Sequence, residues 1–277
     1  MRKPSGHGGL PTRRHERNPL PPLRGGALKP PVLSIAGSDP SGGAGLQLDL
    51  KVFQALGCHG MAIETLLTVQ THKGLRAVHP VPDAFLQEAL PPLLADLPPR
   101  ALKTGALGTP ERAHLLRPLL PSGTPMVVDP VLGASRGKGL GVKGLAEAIR
   151  DRWLPGAALV TPNLAEAQAL TGTEVRSPLE MEEAARKLVE LGAEAALVKG
   201  GHLEGEEVVD VLWDGKTMHR FVGTRLPGEP PHGTGCALSA AIVCWLARGL
   251  PLHEAVGRAR EFLRRAWPSR GSFLAFG

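Results

Sequence analysis

The strongest constraint on this chain is an alternation of two hydrophobic patterns. From Pro31 onward, short continuous apolar runs are followed by segments whose apolar residues recur at helical spacing. Runs at 32–36, 66–69, 101–103, 126–128, 158–160 and 195–198 read as strands buried on both faces. Helical patterns occupy 44–56, 82–95, 110–120, 140–152, 163–170 and 178–191. Pro in first turns, and Gly57, Gly172 and Gly192 after last turns, punctuate several of them. Such alternation predicts an α/β fold in three αβα layers, with a central, mostly parallel sheet. Strands at 208–213 and 218–222 flank Asp214-Gly215, a hairpin signal, and helices at 233–248 and 252–267 follow.

The 277-residue chain carries a net charge of +6, which suggests nucleic acid until that charge is located. Residues 1–30 hold seven Lys or Arg and one acid, Glu16, so the rest of the chain is neutral. A neutral body lacks the field on which nucleic-acid binding depends. The first 30 residues are rich in Pro and Gly and poor in residues that build a core. They are expected to be a disordered basic extension, or a start codon set too far upstream, ahead of a single domain at 31–277. No apolar run approaches the ~20 residues that span a bilayer, so no membrane association is expected. Cys58, Cys236 and Cys244 form an odd set without metal-ligand spacing, which points to free thiols and a cytoplasmic location.

In an open parallel sheet, ligands sit beyond the carboxyl ends of the strands, so the segments after each strand carry the chemistry. The first is Gly37-Ser-Asp-Pro-Ser-Gly-Gly-Ala44-Gly45, where small residues let backbone approach a ligand at a helix start. Gly37 and Ala44 are candidate substrate-binding positions, and a plain structural turn is an equal reading. Leu46, Asp49, Leu50 and Phe53 share a helical face, so Asp49 is either a paired core acid or a carboxylate aimed at a ligand. Gln70, at a strand end, offers both a donor and an acceptor to a heteroaromatic edge. Asp129 is a lone acid at the end of a buried strand, suited to a metal or phosphate region. Asn163 and Glu166 have the spacing of a capping box, and could also stand near Mg²⁺ through water. Lys199, before two glycines, could meet a nucleotide phosphate or simply face solvent.

The most specific segment is His232-Gly233-Thr234-Gly235-Cys236, opening a long apolar helix. Glycines at a helix start expose backbone N–H groups toward an anion, and the helix dipole adds to them. In phosphoryl transfer such donors are catalytic, each worth about 10²–10³-fold in rate. Cys236, in the first turn, is expected to feel the same field and to have a lowered thiol pKa.

In order, Ile35-Ala-Gly-Ser-Asp-Pro-Ser-Gly-Gly-Ala-Gly45, Asp49-Leu-Lys51, Lys103-Thr-Gly105, Val127-Val-Asp-Pro-Val131, Thr161-Pro-Asn-Leu164, Val198-Lys-Gly-Gly-His-Leu203 and His232-Gly-Thr-Gly-Cys236 run through the chain. This series resembles the hydroxymethylpyrimidine and phosphomethylpyrimidine kinase family of the ribokinase-like superfamily, from about Val32 to Trp267. The resemblance implies ATP-dependent phosphorylation of the pyrimidine's hydroxymethyl group, and in many members of the resulting phosphate, in thiamine biosynthesis. It further implies that Asp49 and Gln70 hold the pyrimidine, and that Asn163, Glu166 and Lys199 surround ATP and Mg²⁺. Asp129 would stand near the metal, and Gly233 to Cys236 would form the anion hole, with Thr234 also near ATP. Cys236 occupies the place where sugar kinases of this superfamily carry an Asp base. A homodimer is common among relatives. This sequence departs from the family at Thr71-His72, at residues 132–138 and at Pro230-Pro231. Those departures keep two alternatives in view: a kinase for pyridoxal or pyridoxine, and a non-catalytic pyrimidine sensor.

Overall fold

The computed structural model describes residues 29–71, 74–133, 142–267 and 273–276. Most of the expected N-terminal extension, His72 and the segment 134–138 therefore lie outside the described residues. Nine strands form one sheet in the order β3-β2-β1-β4-β5-β6-β7-β8-β9. They are β1 (Pro31–Ser38), β2 (His59–Thr71), β3 (Gly74–Pro80), β4 (Ala101–Thr104), β5 (Met126–Val128), β6 (Leu159–Val160), β7 (Ala196–Val198), β8 (Glu207–Trp213) and β9 (Met218–Thr224). The six central strands, in sheet order β2, β1, β4, β5, β6 and β7, pair in parallel, and β3, β8 and β9 pair antiparallel at the edges.

Strand parity sorts the apolar residues into two cores. Leu33, Ile35, Leu102, Val128 and Val198 face one layer of helices, α2 (Asp83–Asp96), α3 (Pro110–Leu116), α4 (Leu145–Arg152), α5 (Leu164–Thr171) and α6 (Pro178–Glu190). Their neighbours Val32, Ala101, Val127 and Leu197 face the other layer, α1 (Gly45–Ala55), α7 (Thr234–Leu246) and α8 (Leu252–Ala266). Burial on both faces is what makes these strands read as continuous apolar runs. Residues such as Val32 and Leu33, adjacent in sequence, belong to opposite cores.

Four expectations need correction. The strand expected at 66–69 is the end of a 13-residue strand, β2, whose first half alternates buried Met61, Ile63 and Thr65 with half-buried Gly60, Ala62 and Glu64 and so forms no continuous apolar run. The edge strand β3 went unread, because none of its residues is buried and no apolar run marks it. Helix α4 begins at Leu145, since Gly144 before it takes φ 84°, a left-handed conformation; the start expected at 140 lies outside the described residues. On α1 the buried set is Leu46, Leu48, Asp49, Val52 and Phe53, while Leu50 is 37% exposed. The hairpin stands as expected: Asp214 Oδ1 accepts from the Lys216 and Thr217 amides in the turn between β8 and β9.

Candidate active site

A cleft of about 440 Å³ opens along the carboxyl ends of β1, β2, β4, β5, β6 and β7, and all twelve site residues selected from the sequence line it. Helix α7 starts at its wall. Gly233, the N-cap, has φ 83°, and a Cβ there would lie 2.1 Å from the Gly43 carbonyl oxygen. A side chain is thus excluded twice over, by conformation and by contact. The backbone of the Gly37–Gly45 loop consequently presses directly on the mouth of α7. At Gly235 a Cβ would lie 3.1 Å from Lys199 Nζ, so the ammonium group rests against the bare first turn of the helix. Helix dipole, exposed N–H groups and a lysine charge converge on one point, which is a site for a multiply charged anion.

Below this point lies a line of buried charges. Lys199 Nζ donates to Asp129 Oδ1 at 3.0 Å. Ser239 Oγ, on α7, lies 3.2 Å from Asp129 Oδ2 and 3.0 Å from the Cys236 carbonyl oxygen. Asp129 is therefore not the lone acid its sequence context suggested. Burial opposes its charge, but Lys199 and Lys103 more than offset that and hold its pKa below the ordinary value. Lys103 Nζ donates to Asp49 Oδ1 at 2.8 Å and reaches the Cys236 carbonyl oxygen at 3.4 Å. Ser34 Oγ donates to Asp49 Oδ2 at 2.6 Å. Asp49 lines the cleft, yet both of its oxygens already accept from protein, so the paired-core reading of this acid holds in the structure.

Asn163 and Glu166 form a complete capping box at the start of α5. Asn163 Oδ1 accepts from the Glu166 amide at 2.9 Å, and Glu166 Oε2 accepts from the Asn163 amide at 2.8 Å. Glu166 Oε1 accepts from none of the described residues. Burial raises the Glu166 pKa, Lys199 lowers it and Asp129 raises it again, to about 7 overall. Cys236 departs from expectation: burial is the dominant influence and pushes its thiol up to about 12, despite nearby Lys103. The helix-start field does not overcome desolvation, so Cys236 is a thiol and not a thiolate at neutral pH.

Gln70 is also engaged, lying 2.8 Å from His232 Nε2, which in turn lies 3.2 Å from Asp39 Oδ2. Lys103, Ser34, Ser239, Asp39 and His232 were not singled out from the sequence as functional. Lys103, Asp39 and His232 fall inside the motifs quoted above. Parity supplied the only further signal, a lysine and a serine placed where strands otherwise carry apolar residues.

A mostly parallel sheet with a cationic helix mouth at its carboxyl edge, facing two carboxylates in one cleft, is the site of a ribokinase-like phosphotransferase. Residues 39–273 match the family model described as phosphomethylpyrimidine kinase. The chain belongs to that family. It is 42% identical over 237 residues to the hydroxymethylpyrimidine/phosphomethylpyrimidine kinase of Rhizobium meliloti, covering 85% of this chain and 89% of that one. It is equally 42% identical over 237 residues to the thiamine biosynthesis bifunctional protein ThiED of Geobacter sulfurreducens; the match covers 85% of this chain but only 48% of that longer protein. Among solved structures, the pyridoxal kinase of Staphylococcus aureus in complex with ADP superposes with a TM-score of 0.81 at 34% identity, covering 91% of this chain and 94% of that one.

Proposed function

We propose that this protein transfers the γ-phosphoryl group of ATP to 4-amino-5-hydroxymethyl-2-methylpyrimidine and then to the resulting monophosphate, in the supply of thiamine diphosphate. The observation that carries this reading is the placement of Lys199 against Gly235 at the mouth of α7, in the same cleft as Asp49 and Gln70. Gly233, Thr234 and Gly235 hold the phosphoryl group in transfer. Asn163, Lys199 and Thr234 bind the nucleotide. The acceptor lies toward Asp49, Gln70, Gly37 and Ala44. Cys236, protonated, orients the acceptor hydroxyl and is not its base.

Mg²⁺ fits the donor set available. The described residues contain no cluster of three or more His, Cys, Asp or Glu that would cage a metal. Mg²⁺ is ordinarily held by one or two carboxylates together with substrate phosphates and water, and Asp129 and Glu166 both line the cleft. When bound, the ion neutralises charge on the phosphate oxygens. Domain 31–277 acts as one unit in this reading, in the cytoplasm, on a small molecule and without nucleic acid or membrane; a homodimer is the assembly we favour. Among the described residues, no helix is long and apolar enough to cross a membrane.

A second reading, pyridoxal phosphorylation, is favoured by the structural likeness to a pyridoxal kinase. Purified protein with ATP and Mg²⁺, offered hydroxymethylpyrimidine, its monophosphate, pyridoxal and ribose, separates the two. Release of ADP with both pyrimidines is expected. Turnover with pyridoxal alone would establish the second reading, and tight pyrimidine binding without turnover would make the protein a sensor.

A further inference from the structure

Asp39, His232 and Gln70 come from three separate segments and meet at one wall of the cleft. The carboxylate of Asp39 is fixed first. Its Oδ1 accepts from the Ser41 amide at 2.9 Å and its Oδ2 from Ser41 Oγ at 3.0 Å. The Asp39 amide donates to Gln47 Oε1 at 2.8 Å, and Gln47 Nε2 donates to Ser38 Oγ at 2.7 Å, bracing the loop from both sides. His232 is fixed next. A Cβ on Gly43 would meet its Cδ2 at 3.0 Å and the Phe273 ring at 2.6 Å, so bare backbone holds the imidazole edge in place.

This geometry decides a proton. Burial works against charge on Asp39, but His232 and Ser41 more than offset it and hold the carboxyl below its ordinary pKa. An ionised carboxylate only accepts, so the hydrogen between Asp39 Oδ2 and His232 Nε2 belongs to Nε2. A nitrogen that carries this hydrogen cannot accept from Gln70. The end of the Gln70 carboxamide that lies 2.8 Å away must then be its oxygen, a half-turn from the placement with nitrogen there. The amide –NH₂ is left for the cleft.

We infer that Asp39 and His232 are positioning residues that lock Gln70 as a hydrogen-bond donor, selecting acceptors that present a lone pair to it, such as an unprotonated ring nitrogen. The inference rests on the reading of Gln70 as an acceptor-binding residue. A heteroaromatic edge with N–H in that place would meet donor against donor and be rejected.

The test has two arms on the full chain. Nitrogen-15 NMR of histidine-labelled protein, with the signal assigned by its loss in His232→Gln, should show a proton on Nε2 at neutral pH. A bare Nε2 with the proton on Nδ1 overturns the inference, whatever the enzyme phosphorylates. In the kinetic arm, Asp39→Asn and His232→Ala should each raise KM for hydroxymethylpyrimidine about tenfold with KM for ATP unchanged. His232→Gln should recover much of the loss, because its –NH₂ can donate to Asp39 and to the Gln70 oxygen, the two acceptors that share the single Nε2 hydrogen of His232. Equal losses in His232→Ala and His232→Gln, or an unchanged KM in Asp39→Asn, also overturn it. Absence of all pyrimidine turnover in the wild type would instead defeat the proposed function and leave the NMR result standing.

Discussion

Lys103 and Asp49 form an ion pair of 2.8 Å in which neither side chain has any solvent exposure. Strand register explains how a helix acid and a strand lysine meet there. Ser34 on β1 and Lys103 on β4 are register partners, and both project toward α1, where Asp49 accepts from each. Burial works against the Lys103 charge, but Asp49, foremost, and Asp129 outweigh it and hold the lysine protonated. Removing one member of such a pair strands the other charge without water or partner.

Lys103→Met is therefore expected to lower stability by about 3–5 kcal/mol, read from denaturant unfolding. The double variant Asp49→Leu/Lys103→Met should lie well above the single one, because no buried charge is left unpaired. A single variant within about 1 kcal/mol of wild type would show that Asp49 is not ionised in the native protein.

Gly233→Ala should reduce kcat by at least about 100-fold. The methyl group would overlap the Gly43 carbonyl oxygen in a left-handed conformation, forcing the loop and the helix mouth apart. Gly235→Ala is the control. Its methyl group meets only the end of the Lys199 side chain, which can swing aside, so a smaller loss is expected. Near-normal turnover in Gly233→Ala would remove the helix mouth from the mechanism.

For Cys236, a thiol pushed up to about 12 predicts slow alkylation by iodoacetamide at neutral pH. Cys236→Ala should lower kcat far more than it weakens acceptor binding, and Cys236→Ser, which keeps a donor, should retain more turnover than alanine. A limb in the pH–rate profile at about pH 7–9, present in wild type and lost in Cys236→Ala, would make the cysteine a base after all.

Local spacing carried what the sequence could tell. The Asn163–Glu166 capping box and the Gly233 helix start are set by residues within one turn of each other, and both stand in the structure as read. Alternation of strands and helices was equally legible, since burial on both faces leaves an unbroken apolar run. Partners were not legible. Asp49 and Lys103 are 54 positions apart, and Asp129 and Lys199 are 70 apart, so only strand order brings them together. Cys236 was misjudged because a helix terminus is visible in sequence, whereas the depth of burial that outweighs it is not.

Glu166 offers a pH test of the site that needs no substrate. Its carboxyl is raised from an ordinary 4.5 to about 7, chiefly by burial, with Asp129 adding to the rise. A carboxyl whose folded value exceeds its unfolded value holds its proton longer in the native state. Between about pH 4.5 and 7 the native protein therefore binds more protons than the unfolded chain, and stability falls as pH rises through that window. The penalty is fully present above about 7 and absent below 4.5. Glu166→Gln keeps the capping geometry, because a carboxamide oxygen also accepts from the Asn163 amide, while removing the titration. Measured without metal or nucleotide, the variant and wild type should be equally stable near the acid end of the window, and the variant should be the more stable above it. Mg²⁺ with ATP, by favouring the ionised form, should close that gap in the wild type. If the two stability curves instead run parallel across the whole window, Glu166 is ionised throughout, and the crowding of Asp129, Lys199 and Glu166 in this cleft does not strain its charge.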